Sequence, residues 1–191
     1  VTRPAIFLDR DGTLIEEVGD GFLRTTADLV LYPWSAGAVK RINDAGLLAV
    51  VVTNQSGVAR GFFGEPFLDE AHRVLNEQLA GSGARIDAFH YCPHHPAAAV
   101  DRYRVACQCR KPEPGLLLRA ARELGVDLER SWMVGDTWRD VEAGHRAGVR
   151  SLLVMSGQGR EAAANPPSGV EVETIVENVE EAVAWILRNR E

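Results

Sequence analysis

Residues 7–14 read Phe7-Leu8-Asp9-Arg10-Asp11-Gly12-Thr13-Leu14, and this stretch decides how the rest of the chain is understood. Residues 5–8 form a short apolar run without helical period, broken off at once by two acids and a glycine. That pattern is a buried strand delivering carboxylates at its C-terminal end. Asp9 and Asp11 lie one residue apart and repel each other wherever water is partly excluded. Such a pair is stable when a cation lies between the acids or when one of them keeps a proton. Either arrangement points to chemistry. The same letters also suit an ordinary Asp/Gly turn. An EF-hand calcium loop does not fit, because the glycine follows the second acid immediately instead of taking the sixth loop position.

Working outward, Ser35 caps a predicted helix with Ala38, Val39, Ile42 and Ala45 at helical spacing, and Gly46 stops it. Residues 47–52 are a valine-rich apolar run, a strand buried on both faces, which ends in the polar loop Thr53-Asn54-Gln55-Ser56-Gly57. Strand, helix, strand is the right-handed crossover of an open parallel sheet, so the loops after both strands open on one edge. Further helices are predicted over 67–79, 114–124, 140–147 and 179–187. Further strands are predicted over 86–91, 132–134, 151–155 and 172–175, with a Gly/Ala/Pro-rich surface loop over 157–169. This alternation predicts a single α/β domain over residues 1–191, a three-layer doubly wound parallel sheet. Between residues 92 and 113 periodicity disappears, and so long an irregular excursion needs its own means of being held. The insertions after the first and third strands are too short for a cap domain, so the ligand pocket is expected to be built from loops.

The chain has 191 residues, 46% of them hydrophobic and 25% charged, which suits one domain with an ordinary core. A net charge of -6 argues against a nucleic-acid surface but leaves room for a local basic pocket. No apolar segment reaches spanning length, and the first strand starts almost at the first residue, so a cytoplasmic protein without a membrane partner is the expectation. Lys40 and Lys111 are the only lysines in an arginine-rich chain, which marks them as places where a compact ammonium is needed.

In a parallel sheet the polar strand ends gather on one rim, where ligands bind. Asp9 and Asp11 end one strand, Thr53 and Asn54 another and Asp136 a third, while Lys111 comes from the loop between. Three acids suit a hard cation, and a hydroxyl and a lysine suit the oxygens of an anion. Mg²⁺ prefers a few carboxylates, waters and a phosphate oxygen.

Asp9-Arg10-Asp11-Gly12-Thr13, Thr53-Asn54, Lys111-Pro112 and Gly135-Asp136 with Asp140 resemble, in order, the four motifs of the haloacid dehalogenase superfamily of phosphotransferases. The resemblance covers nearly the whole chain and implies a Rossmann-like phosphatase fold working through an aspartyl-phosphate. It makes Asp9 the nucleophile and Asp11 the general acid and then base. It gives Thr53 and Lys111 the phosphoryl oxygens. Asp9, Asp11 through its backbone carbonyl, and Asp136 become the Mg²⁺ ligands, with Asp140 behind them. An acid in the first turn of a helix is favoured anyway, which would explain Asp140 equally well.

The excursion carries Cys92-Pro93-His94 and Cys107-Gln108-Cys109, three thiolates and an imidazole in two clips. They are enough for a closed tetrahedral Zn²⁺ site in a loop at 92–110, and a closed site is structural. Three cysteines fit poorly with a closed disulfide framework, although separate buried cysteines would also account for them. His95 competes as ligand, and the family pattern favours His94.

The zinc clips are similar to those of two groups within the superfamily, the phosphatases of D-glycero-D-manno-heptose 1,7-bisphosphate and the histidinol-phosphate phosphatases. Residues 53–61, with Ser56-Gly57-Val58-Ala59-Arg60-Gly61, resemble the heptose group. The resemblance therefore implies hydrolysis of the 7-phosphate of the heptose bisphosphate, a step toward nucleotide-activated heptose, by a monomer acting on a small-molecule sugar bisphosphate. Histidinol-phosphate phosphatase is the alternative, and a non-catalytic phospholigand-binding module a third. Sugar contacts are expected from Gly21, Phe22, Leu23 and Arg24 and from Asn54, Gln55 and Ser56. Arg60 or Arg110 would take the phosphate that is not cleaved. Residues 137–139 and the 15–26 loop depart from close relatives and leave the anomer preference open.

Overall fold

The computed structural model describes residues 2–190. Six strands form one parallel sheet: β1 (Ala5–Leu8), β2 (Leu48–Asn54), β3 (Ala88–Cys92), β4 (Trp132–Gly135), β5 (Arg150–Val154) and β6 (Thr174–Val176). Their spatial order is β3-β2-β1-β4-β5-β6, so the chain walks outward from β1, crosses back over it, and walks outward again on the other side. The reversal falls between β1 and β4. The loops leaving those two strands therefore diverge and open a crevice at their carboxyl ends.

Helices α1 (Ser35–Asp44), α2 (Glu65–Ala80) and α6 (Val179–Arg188) cover one face, and α3 (Gly115–Leu124) and α4 (Trp138–Ala147) the other. The central strands feed both layers because their side chains alternate. Ile6, Leu8, Val51 and Val134 pack toward α1, α2 and α6. Phe7, Val50, Val52 and Met133 pack toward α3 and α4. All four residues of β1 are completely buried. The three-layer doubly wound sheet is the architecture expected from the alternation of runs.

Boundaries differ by a few residues where periodicity is blind. The second helix begins at Glu65 because Pro66 is tolerated in a first turn. The fourth begins at Trp138, where Thr137 and Asp140 form a capping box. The stretch over 157–169, read as a loop, contains a short helix α5 (Gly159–Ala164). Its six residues are too few for an apolar period to register. The last strand lies at Thr174–Val176, shifted from the predicted 172–175.

Neither insertion builds a cap. Among the described residues, the segment between β1 and α1 carries two isolated β-bridges and a 3-10 turn at Thr26–Asp28, and that between β3 and α3 a 3-10 turn at Asp101–Tyr103. Among the described residues, no helix is long and apolar enough to cross a membrane.

Candidate active site and metal centre

The acids after β1 and β4 meet at the crevice. Asp9, Asp136 and Asp140 each bring a carboxylate oxygen to within 4.8 Å of the others. Lys111 lies among them, 3% exposed, with Nζ 2.8 Å from Asp9 Oδ1 and 2.6 Å from Asp140 Oδ1, and it donates to the Val52 carbonyl at 2.7 Å. Burial alone would make this lysine less basic, but Asp140 and Asp9 outweigh it and push it up to about 12. It remains an ammonium at any working pH.

One cation does not balance three buried acids. Asp136 is 1% exposed, and its carboxylate accepts one backbone hydrogen bond, from Gln158 N at 2.8 Å. Burial, with Asp9 and Asp140 adding to it, pushes its carboxyl up to about 8. Burial also raises Asp9, to about 6, against the pull of Lys111. Two hard oxygen donors this poorly compensated are what a divalent cation relieves, so the residues present fit Mg²⁺. Asp140 is better satisfied: Lys111 takes Oδ1, while Thr137 N and Oγ1 donate to Oδ2 at 3.0 and 2.7 Å. Its ties make it a brace for Lys111 and the α4 N-terminus. Gly12, at φ +81°, lets the β1 loop pass this close, since a Cβ there would sit 2.2 Å from Asp136 Oδ2.

The Asp11 carboxylate turns away from that cluster. Arg10 holds it through Nε and Nη2 at 3.2 and 3.0 Å, and Gln55 Nε2 donates to Oδ2 at 2.8 Å. These bonds hold Asp11's side chain outside the Asp9–Asp136–Asp140 cluster.

A cleft of about 350 Å³ stands over these groups. Asp9, Asp11, Thr53, Lys111 and Asp136 line it, as do Gly21, Phe22, Asn54, Ser56, Arg60 and Arg110. Three residues expected to touch the sugar do not line it. Leu23 is buried in the core on the face of the sheet covered by α1, α2 and α6, because an apolar side chain in a short flap serves best as its anchor. Arg24 is held by both oxygens of Asp20, at 2.8 and 2.7 Å, and stacks over Phe62. Gln55 is buried and spends its amide on Asp11 and on Thr53 Oγ1, fixing both. Asn54 reaches the wall, but its amide accepts from Lys111 N and donates to Lys111 O, both at 3.0 Å. It therefore positions the lysine.

Glu17, Asp20, Thr137 and Arg139 also line the cleft. They fall in the 15–26 loop and the 137–139 segment, which the sequence tied to substrate detail without giving these residues roles. Gln158 and His95 line it too, although Gln158 was not singled out and His95 was considered only as a zinc ligand. Arg139 had a usable signal: it follows the third acid-bearing strand end by three residues, where the α4 N-terminus must face the rim. Gln158 had none, since its loop comes from β5.

The second cluster lies beside the cleft. Cys92 Sγ is 3.5 Å from Cys107 Sγ and 3.1 Å from Cys109 Sγ, and His94 Nδ1 is 3.7 and 3.4 Å from Cys92 and Cys109. A tetrahedral Zn–S site has edges of about 3.8 Å, so the four donors fit Zn²⁺ with little movement. Hydrogen bonding to Cys92 lowers the Cys109 thiol to about 5, while the same contact and burial raise Cys92. His95 faces elsewhere, its Nδ1 accepting from Ala97 N at 3.1 Å. Gly115 lets the clip lie against α3, because a Cβ there would be 2.2 Å from the Gln108 carbonyl. Arg110 reaches the cleft from this clip and donates from Nη1 to the His94 carbonyl at 3.3 Å.

Comparison with known proteins gives a consistent picture. A family of HAD-hydrolase-like proteins matches residues 108–182. The D-glycero-beta-D-manno-heptose-1,7-bisphosphate 7-phosphatase of Rhodopseudomonas palustris is 45% identical over 147 residues, 77% of this chain and 81% of that protein. The enzyme of that name from Escherichia coli K12 is 40% identical over 156 residues, 81% of each. The crystal structure of the D,D-heptose 1,7-bisphosphate phosphatase of B. bronchiseptica, complexed with magnesium and phosphate, superposes with a TM-score of 0.85. It is 35% identical, and the match covers 97% of this chain and 99% of that one.

Proposed function

The chain belongs to the heptose-bisphosphate phosphatase family of haloacid dehalogenase-like hydrolases, and on that premise we propose that it removes the 7-phosphate of D-glycero-D-manno-heptose 1,7-bisphosphate in a Mg²⁺-dependent reaction. The observation that carries the reading is the buried Asp9–Lys111–Asp136 constellation at the floor of a cleft whose wall presents Arg60 and Arg110. A metaphosphate-like group needs positive charge on its oxygens at the floor, and a second phosphate needs it higher up.

Asp9, Asp136 and the Asp11 backbone carbonyl would hold Mg²⁺, which supplies the charge that lets an anionic nucleophile meet an anionic ester. Asp9 forms the new bond to phosphorus as the bond to the sugar oxygen breaks, leaving an aspartyl-phosphate. Asp11 gives its proton to the departing sugar oxygen. It then takes a proton from the water that attacks phosphorus, and cleavage of the Asp9–phosphorus bond releases inorganic phosphate and regenerates both acids. Lys111 holds charge on Asp9 and the transferring group, and the Thr53 hydroxyl, oriented by Gln55, donates to a phosphoryl oxygen. Arg60 and Arg110 bind the 1-phosphate, while Gly21, Phe22 and Ser56 border the sugar. Cys92, His94, Cys107 and Cys109 would hold a structural Zn²⁺, which would fix the clip that carries Arg110.

The same proposal includes a single-domain monomer acting on a cytoplasmic sugar phosphate. The test is phosphate release from the heptose 1,7-bisphosphate, measured beside histidinol phosphate. The expected result is the larger kcat/KM for the bisphosphate. A larger value for histidinol phosphate would overturn the substrate assignment while leaving the chemistry standing.

A further inference from the structure

We propose that His72 is a positioning residue for Asp11, acting through a buried hydrogen-bonded chain from helix α2 to Arg10 and from Arg10 to the Asp11 carboxylate. This rests on the reading of Asp11 as the acid and base.

Arg10 is 1% exposed, its guanidinium buried between the Asp11 carboxylate and His72 of α2. Its Nε and Nη2 grip the two oxygens of Asp11, so the plane of the fork sets the plane of the carboxylate. The third nitrogen, Nη1, lies 3.4 Å from His72 Nε2. A guanidinium has no acceptor, so His72 must present its lone pair at Nε2 and carry its proton on Nδ1. Burial, and Arg10 next to it, lower His72 to about 3 and keep it neutral in that role.

The imidazole is itself fixed. It stacks on Phe89 of β3, with centroids 4.5 Å apart and planes 11° from parallel, and Tyr91 lies 5.9 Å away. A buried donor without an acceptor turns to find another, and Arg10 cannot turn without tilting Asp11. Gln55 keeps a separate hold on Asp11 Oδ2, so loss of His72 misaligns the acid without freeing it. The catalytic machinery proper does not touch His72, which sits on α2, 62 residues from Arg10 in sequence.

The experiment measures phosphate release by the full chain from the heptose bisphosphate and from p-nitrophenyl phosphate, whose use removes any dependence on the sugar assignment. His72→Leu should lower kcat roughly tenfold with KM changed by less than about twofold, since the loss is one of alignment. His72→Gln, which returns an acceptor, should recover kcat to within about threefold of the wild type. Arg10→Lys should cost roughly a hundredfold, and adding His72→Leu to it should cost less than about twofold more, because His72 works through Arg10. A His72→Leu enzyme with unchanged kcat, or one whose loss is undiminished on the Arg10→Lys background, would overturn the proposal. Should His72→Leu not fold, His72→Ala with and without imidazole carries the test. A groove lined by His72, Asn76, Phe89 and Tyr91 gives imidazole access, and failure of imidazole to raise kcat would be equally decisive. A wild-type protein inert toward both esters overturns the acid/base reading, and this proposal with it.

Discussion

The rim acids and the cysteine clip both grow from the carboxyl ends of strands, yet they are assembled in opposite ways. Lys111 and Asp9 are 102 residues apart in sequence, and only the order of strands brings them to 2.8 Å. Cys92 and Cys109 are 17 residues apart and meet within one loop. The rim keeps one side open to the cleft and leaves Asp9 and Asp136 undercompensated, which is the condition of a site whose charge is completed by a working ion and a substrate. The clip offers a complete set of four soft donors and no vacant position, which is the condition of a fastener. Reactivity in this molecule is tied to incomplete compensation, and rigidity to complete compensation.

Replacing Asp9, the proposed nucleophile, should break the rim and spare the fastener. Asp9→Asn should lower turnover by at least about 10⁴-fold with the melting temperature within a few degrees, because the amide keeps the shape and relieves a buried charge. Steady-state phosphate release with a thermal melt of the same sample checks both halves. Retention of a tenth of the activity would contradict the assignment of Asp9.

Breaking the fastener should do the reverse. Cys109→Ser is expected to destabilise by about 3 kcal/mol, lowering the melting temperature by about 10 °C, while kcat at low temperature falls far less than in Asp9→Asn. Metal analysis should find one zinc per chain in the wild type and little in the variant. Zinc-free wild type would remove the second half of the comparison.

Arg110 stands where the two regions touch. Arg110→Ala should raise KM for the bisphosphate about thirtyfold, corresponding to the ~2 kcal/mol of a charged hydrogen-bonded contact. It should change KM for a monophosphate little. Equal effects on both esters would detach Arg110 from the uncleaved phosphate.

The smallest expected effect lies behind the rim. His72 is lowered to about 3 by burial and by Arg10, so its folded pKa lies below the ordinary value near 6.5. The unfolded chain then binds the extra proton between those pH values. The stability associated with neutral His72 is complete above about 6.5 and is lost as pH falls toward 3. Denaturant melts from pH 7 to pH 4 should show a shallower loss for His72→Gln than for the wild type, by less than about 1.4 kcal/mol per pH unit. Parallel curves would mean that His72 is not held neutral.

How much could be read in advance follows the same division. The apolar runs at β1 and β2 located themselves, because strands buried on both faces carry no polar residues to blur their edges. Cys92, His94, Cys107 and Cys109 were legible because a metal clip is local. The flap was not: Leu23 and Arg24 looked like neighbours of Phe22, but one anchors in the core and the other pairs with Asp20. Gln55 looked like a substrate contact and instead holds Asp11 and Thr53, while Asn54 both lines the cleft and holds Lys111. A polar residue beside a catalytic one has the same letter whether it faces the ligand or steadies its neighbour.

By itself the sequence determined the alternation of strands and helices, the acids and lysine that gather at the rim, and the Cys/His clip, since these depend on residue type and short spacing. Tertiary structure alone decided which carboxylates share charge and which way Asp11 faces. It also decided that His72, far away on α2, stands behind Arg10. Those outcomes depend on strand order and on the direction of side chains in a packed interior, where a few ångströms decide whether buried charges are compensated, and neither quantity is written in the local sequence.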